Sequence, residues 1–415
     1  MDSDKFDHVA APLALGPLTG YRVLELGSTV AGPFCGRLLA DFGAEVIKVE
    51  TAEGDPVRTM GKRFHGKSLY AASIFRNKAL ISLDLRRAEG QQLARELAQK
   101  CDVVVENFRP GALEKWGLGY AELSALNPRL VMVRISGFGQ DGPYSQRAGY
   151  GVIGEAVSGL RHLTGDPDRP PSRVAVSMTD YITGLYAAFG AALALLAREK
   201  TGRGQCIDAA LYECAFSFME PWIPAYQKLG HVAMRSGSRL PESTPNNLYP
   251  TADQQFIQIT AMGDSVFERL ASAMGQPALS EDPRFSSALA RSAHHEEIDD
   301  QVARWTTRHT LADLEAILEK ALVPATRVYS IADIFDDPHY RARGSIVEAP
   351  DDDLGGVAMA AVVPRLSATP GKVRHSGGRV GQDTRRVLQD LLGLAPEKID
   401  GLAKTGVVNC EEASK

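Results

Sequence analysis

The chain has 415 residues, 44% of them hydrophobic and 23% charged, which gives enough apolar surface for large cores and, by length, for two domains or more. Its 46 lysines and arginines stand against 51 aspartates and glutamates, a formal net charge of -5, so the bulk charge offers nothing to a nucleic acid. Five cysteines, odd in number and without a CxxC pair, argue against a disulfide framework or a zinc site and fit a reducing cytoplasm.

The opening stretch MDSDKFDHVAAPLALGP, residues 1–17, is acidic where a signal peptide is basic and reads as a loose arm. From Tyr21 short β-branched runs alternate with amphipathic segments, the pattern of a parallel sheet with crossover helices. YRVLELG is the first strand, GPFCGRLLADFG a helix with Pro33 in its first turn and Gly43 at its end, and AEVIKVE the second strand. The scheme continues through strand ALISLDL, helix EGQQLARELAQK, strand CDVVVENF, helix YAELSALNP and strand RLVMVRISGFG. These elements predict a Rossmann-like large domain over residues 18–221. In its last third, Asp180 precedes a run of small apolar residues with Gly184 and Gly190, a thin helix that lets other backbone or a ligand come close. The most apolar part, Leu185–Ala197, is short for a membrane span, and no membrane partner is expected. CIDAALYECAFSFME then reads as a strand turning into a helix.

Residues 222–250, rich in Pro, Ser, Asn and Arg, read as a linker or binding loop. Residues 251–328 carry a strand, QFIQITAM, and helical segments near 264–274, 292–305 and 311–322, the pattern of a small α+β domain. Residues 329–415 form a return linker and two amphipathic helices suited to packing on the large domain.

In an open parallel sheet ligands sit beyond the carboxyl ends of the strands, here Gly27–Gly32, Glu50, Asp84–Arg86, Glu106–Arg109 and Ser136–Gly139. The first turn, GSTVAGP, is not GxGxxG, so a nicotinamide or flavin is a minor alternative resting on Glu50, which ends its strand as a ribose-binding acid would. No GxSxG, HExxH or P-loop occurs, which leaves carboxylates to do acid and base work. HHEEIDD at 294–300 reads as a solvated helix face rather than a metal site, and no metal is expected. Lys62, Lys67, Arg76, Lys78, Arg86, Arg109 and Lys115 fall at strand ends and loops; they are ordinary surface charges or the cations of a phosphate-bearing ligand. Asp180, by spacing alone, is a helix N-cap.

The ordered motifs ELGSTVAGPFCGRLLADFGAEVIKVE, GDPVR, NKALISLDLR, DVVVENFRPGALEKWGLGY, NPRLVMVRISGFGQDGP, MTDYITGLYAAFGAALALLAREKTGRGQCIDAALYE, DPHYRARG and GQDTRRVL together resemble the family III CoA-transferases, from about Pro17 to Val408. QRAGYGVIGEAVSGLRHLTGDPDRPPSRVAVSMTD looks most like the members that pair succinyl-CoA with a dicarboxylic acceptor such as glutarate. The resemblance implies that Asp180 is a catalytic nucleophile, which forms an aspartyl anhydride and then an aspartyl-CoA thioester. By position it implies CoA contacts at Val30, Ala31, Leu83, Arg86, Asn107, Phe108, Arg109, Lys115 and Arg147. Coenzyme A is then substrate, with no permanently bound cofactor, and the partners are an acyl-CoA, a small carboxylic acid and a second copy of the chain in an interlocked homodimer.

Two departures stand out. Thr51 follows KVE where relatives often carry an arginine, and RSGSRLPESTPNN holds one glycine, Gly237, where formyl-CoA relatives have a glycine-rich shielding loop. Arg235 or Arg239 there is a candidate partner for the distal carboxylate of a dicarboxylic substrate. A 2-methylacyl-CoA racemase of this family uses a His base in GHD; this chain has GYG, and Tyr150 is a poor base near neutral pH, so it is read as a substrate contact. The alternatives are a formyl-CoA or oxalate type transferase, the racemase, and a non-catalytic acyl-CoA-binding protein.

Overall fold

The computed structural model describes residues 16–240 and 242–410, so the arm expected over 1–17 lies outside it apart from its last two residues. Six parallel strands run in chain order as β1 (Arg22–Glu25), β2 (Glu45–Glu50), β3 (Lys78–Leu83), β4 (Val103–Glu106), β5 (Val131–Ser136) and β6 (Cys206–Ala210). They stand side by side as 3-2-1-4-5-6, and a seventh strand, β7 (Val408–Asn409), covers the β3 edge antiparallel. The order reverses between β1 and β4, so the loops that leave these two strands frame the crevice.

Strand alternation builds a core on each face of the sheet. Leu24, Ile47, Ile81, Val104 and Met132 join one, closed by helices Ala88–Gln99 and Tyr120–Leu126 and by the C-terminal helices through Val387, Leu388 and Ile399. Val23, Val46, Val105 and Val133 join the other, closed by the first helix, Ala31–Asp41, and the long helix, Met178–Thr201.

The long helix has 24 residues and is, by length and composition, apolar enough to cross a membrane, longer than the Leu185–Ala197 segment singled out from sequence. One face packs inward through Ala187, Ala188, Ala191 and Ala194, and Arg198 is buried against Asp102 at 2.9 Å. At Gly184 a Cβ would lie 2.8 Å from the Ala31 carbonyl oxygen, so only glycine permits this contact with the first helix. The opposite face leaves Leu185, Phe189, Leu193 and Leu196 about half exposed in the single chain.

Contacts divide the chain into two compact units. The one described above runs to Leu160, includes Val174–Pro224 and resumes at Ala342. The other comprises Arg161–Arg173 and Ala225–Arg341, with a three-stranded antiparallel sheet of Asn246–Pro250, Phe256–Thr260 and Ala325–Arg327 and a core that includes Phe267, Phe285 and Trp305. The stretch 222–250 is less irregular than its composition suggested. It holds the helix Trp222–Leu229 and the strand Asn246–Pro250, because Trp222, Ile223, Tyr226 and Leu229 keep a helical period while Asn246–Pro250 gains a ladder partner distant in sequence.

The first unit carries a buried charge network under the β1 turn. Lys78 Nζ sits 2.6 Å from Glu25 Oε2 and donates to the Pro33 carbonyl at 2.7 Å, all within the core. Lys48 pairs with Asp55 at 2.8 Å, lies 3.8 Å from Glu25 and donates to the Gly27 carbonyl. Burial pushes the Glu25 carboxyl up and Lys78 down, whereas Lys48 is raised, because Asp55, Glu25 and Glu50 together outweigh its burial. At Gly36 a Cβ would lie 1.8 Å from Glu25 Oε2, so glycine lets the first helix pass over this carboxylate. Lys78→Met, which strands Glu25, is expected to cost about 3–5 kcal/mol in urea unfolding. Adding Glu25→Leu is expected to restore most of the loss, since the cost lies in the unpaired charge.

Candidate active site

The turn after β1 is pinned from two directions. Ser28 N donates to Asn107 Oδ1 at 2.7 Å while Asn107 Nδ2 donates to the Ser28 carbonyl at 2.8 Å, which ties the turn to the loop after β4. Thr29, at φ +69°, donates its N–H to Asp55 Oδ1 at 3.0 Å, which holds a left-handed conformation unusual for threonine. Asp55 also accepts from Val57 N at 2.9 Å, and Lys48 and these amides keep its carboxyl below the usual range in spite of burial.

The loop after β4 has its own clasp. Glu106 Oε2 accepts from Phe108 N at 2.8 Å, Oε1 accepts from Arg134 Nε at 2.8 Å, and Arg134 Nη1 reaches Glu114 beyond the loop at 2.7 Å. Burial pushes Glu106 up to about 7 against the pull of Arg134. The loop between these anchors presents Asn107, Phe108 and Arg109.

Two cavities open on these loops. The first, about 410 Å³, is lined by Val30, Ala31, Asn107, Arg109, Tyr150 and Asp180, with Ser136, Gly137 and Leu211 behind them. The second, about 300 Å³, is lined by Leu83, Arg86 and Phe108 together with Thr51 and Trp116. Ser28 belongs to both walls. Trp116 meets Phe108 edge-on at 5.4 Å and makes this second pocket largely apolar, while Arg86 is held by both oxygens of Asp84 at 2.8 and 3.1 Å.

Asp180 is half-buried and occupies the third position of the long helix. The cap position belongs to Ser177, whose side chain makes no capping bond, so the N-cap expected at Asp180 is displaced: the helix starts at Met178, before the Thr179–Asp180 pair. An acid in the first turn still gains from the positive end of the helix. Tyr181 donates to the Tyr70 hydroxyl at 2.9 Å, and burial, that bond and the nearby Asp180 carboxylate push the Tyr70 phenol up.

Nine sequence-predicted residues thus line the two cavities. Lys115 and Arg147 line neither: Lys115 is exposed in the turn Ala112–Lys115, and the Arg147 guanidinium stacks 3.5 Å over the Tyr144 ring. Arg235 and Arg239 lie in the second unit, where Arg235 donates to the His162 and Asp166 carbonyls and Arg239 pairs with Asp299 at 2.9 Å, which weighs against a free role for Arg239. Three cations grouped with the crevice are spent elsewhere: Lys78 on Glu25, Arg76 on Asp41 at 2.6 Å, and Lys67 on Asp351 at 2.7 Å. Glu50 is buried with both oxygens on Arg58 at 2.6 and 2.7 Å, which removes the acid that the dinucleotide alternative required. His294 bonds Glu297 at 2.7 Å and His295 the Ser292 carbonyl at 3.1 Å.

Ser28 and Ser136 belong to the strand-end stretches Gly27–Gly32 and Ser136–Gly139 picked out from sequence, though without a role of their own, whereas no local pattern marks Leu211; sheet order brings the three together. Trp116 lies within the DVVVENFRPGALEKWGLGY motif, and its proximity to Phe108 follows from the short turn between them.

Residues 18–384 match the model of CoA-transferase family III. The succinyl-CoA–D-citramalate CoA-transferase of Chloroflexus aurantiacus is 50% identical over 394 residues, 94% of this chain and 98% of that protein. The succinate–glutarate CoA-transferase of Agrobacterium fabrum is 37% identical over 384 residues, 90% of this chain and 96% of the relative. Among solved structures, a CAIB/BAIF family protein from Brucella suis superposes with a TM-score of 0.81 at 35% identity, covering 91% of this chain and all of that one.

The raised Glu106 carboxyl sets a pH dependence. Because the folded state keeps this proton up to about pH 7 while an unfolded glutamate releases it lower, Glu106 favours folding at acid pH and loses that contribution as pH rises towards 7. Thermal melts from pH 5 to 8 are expected to show Glu106→Gln gaining on the wild type as pH rises; a constant difference would contradict the raised value.

Proposed function

The chain belongs to CoA-transferase family III, and we propose that it carries CoA from succinyl-CoA to a small dicarboxylic acid through Asp180. The observation that carries this reading is the half-buried Asp180 carboxylate in the wall of a cavity that also exposes Ala31, Asn107 and Arg109. The succinyl donor is supported by relatives whose names specify succinyl-CoA with D-citramalate or L-malate, and a third whose name pairs succinate with glutarate. The 50% identity to the citramalate enzyme makes a branched hydroxy-dicarboxylate the first acceptor to test.

In this mechanism the Asp180 carboxylate attacks the thioester carbonyl, the C–S bond breaks, and CoA leaves as thiolate from a mixed anhydride. The thiolate attacks the aspartyl carbonyl of that anhydride, releasing succinate and leaving an aspartyl-CoA thioester. The acceptor carboxylate attacks this thioester, expels the thiolate and forms a second anhydride; the thiolate then takes the acceptor's acyl group and frees Asp180. Four exchanges at carbonyl carbon conserve the thioester, provided water is excluded.

The CoA would lie along the two cavities, with Leu83, Phe108 and Trp116 forming an apolar wall for its base and Val30 and Ala31 following the chain towards Asp180. Arg86 and Arg109 supply charge for phosphates, and the exposed Lys115 and Arg147 are assigned to the same polyanion from outside the walls. No permanently bound cofactor enters the cycle. Tyr150, 70% exposed beside Asp180, is assigned to the acceptor.

An interlocked homodimer belongs to the same reading. The half-exposed Leu185, Phe189, Leu193 and Leu196 form an i, i+4, i+8, i+11 stripe that a partner chain would cover. A cytoplasmic setting is supported by five free thiols, two of them buried.

Incubation with succinyl-CoA and a panel of citramalate, malate, glutarate, itaconate, mesaconate and oxalate, read by mass spectrometry, is expected to yield a new acyl-CoA with one or more of the dicarboxylates longer than oxalate and none with Asp180→Ala. Turnover retained by Asp180→Ala would overturn the nucleophile, and conversion of oxalate but of none of the longer dicarboxylates would overturn the citramalate-like acceptor in favour of the oxalate type. Light scattering is expected to give twice the 44.8 kDa chain mass, and a monomer would refute the dimer.

A further inference from the structure

We propose that Gly151 is a positioning residue for Asp180: the side chain it lacks is the space that the carboxylate occupies. A Cβ built at Gly151 would fall 1.9 Å from Oδ2, 2.7 Å from Cγ and 3.2 Å from Oδ1 of Asp180. The whole carboxylate group rests against this one stretch of main chain, closer than any side chain at 151 permits. The inference rests on Asp180 as the nucleophile, and it gives the second glycine of GYG a role in the reaction.

Gly149, two residues earlier, is needed for a different reason. Its Cβ would lie 2.6 Å from the Gly137 Cα, and a Cβ at Gly137 would lie 2.8 Å from the Gly149 Cα, so two backbones touch and close the neck of the loop between them. The loop is tied to the sheet where it leaves β5: Gly139 N donates to Ser136 Oγ at 2.9 Å and Gln140 N to Asp208 Oδ2 at 2.7 Å. Beyond the neck, Ile153 N and Gly154 N donate to the Tyr150 carbonyl at 2.8 and 3.1 Å, which starts the helix Gly151–Val157. Main chain anchored to the sheet therefore fixes Gly151, and what Gly151 fixes is a side chain.

That difference decides what substitution does. Alanine at 149 collides with backbone and must move the loop. Alanine at 151 collides only with the mobile end of Asp180, which can rotate away; folding survives, but the nucleophile leaves its line of approach.

The experiment compares wild type, Gly151→Ala, Asp180→Ala and the double variant in thermal unfolding and in transfer from succinyl-CoA. Gly151→Ala is expected to lower kcat about 100-fold with KM for succinyl-CoA little changed, the penalty of a misplaced reacting group. In unfolding, the same change is expected to be more favourable in the Asp180→Ala background than in the wild type, because the atoms it would meet are gone and alanine restricts the unfolded chain. Equal effects in both backgrounds overturn the contact, and a wild-type kcat in Gly151→Ala overturns the positioning role. If Gly151→Ala does not fold, folding of the double variant supports the inference and failure of both overturns it. Should the wild type transfer no CoA, the functional reading fails, while the unfolding cycle still decides the contact.

Discussion

The bond pair between Asn107 and Ser28 is the constraint on which the site depends. It joins the loops that leave β1 and β4, the two strands at which the sheet order reverses, and each loop is separately anchored to buried charge. On the β1 side the anchor is Lys48 with Asp55, which also holds Thr29 at positive φ. On the β4 side it is Glu106 with Arg134 and Glu114. Because Ser28 faces both cavities, a shift of either loop would change both at once.

Apart from the exposed Glu114 these anchors are charged groups held in the interior, an arrangement that stabilises little by itself. Taking such ions from water offsets most of their mutual attraction, so apolar replacements of the same size would hold the fold about as well. What an apolar side chain does not offer is direction. Lys48 donates to two partners at defined geometry, the Asp55 carboxylate and the Gly27 carbonyl, and thereby fixes where one turn of backbone goes. The energetic and functional roles of the network are therefore separate: the core is stabilised by the valine, leucine and alanine layers, while the ions specify the loop.

Asp180 is placed by small residues rather than by charged ones. Alanines on the inward face of its helix let it lie close to the sheet, Gly184 lets it cross the first helix at backbone distance, and Gly151 leaves room for the carboxylate itself. Each contact is short because a side chain is missing, so the carboxylate is located by packing, which is stiff, while its charge meets the positive end of the helix. Bulky residues on the other face of the same helix remain half exposed in the single chain and give it a second surface.

The alternation of β-branched runs and helices determined the Rossmann-like sheet, since periodicity depends only on near neighbours in the chain. The family motifs pointed to Asp180 and to the residues of the β1 and β4 loops for the same reason: each is a short, contiguous word. Composition misled where the partner was remote. Asn246–Pro250 reads as loop until Phe256–Thr260 pairs with it, and Lys78, Arg76 and Lys67 read as crevice cations until Glu25, Asp41 and Asp351 claim them. Tertiary structure alone decided that Ser28 bridges two cavities, that Glu50 is spent on Arg58, and that Gly151 faces Asp180. Those facts depend on which strands lie side by side and on where a side chain is absent, and a linear pattern encodes neither in its local spacing.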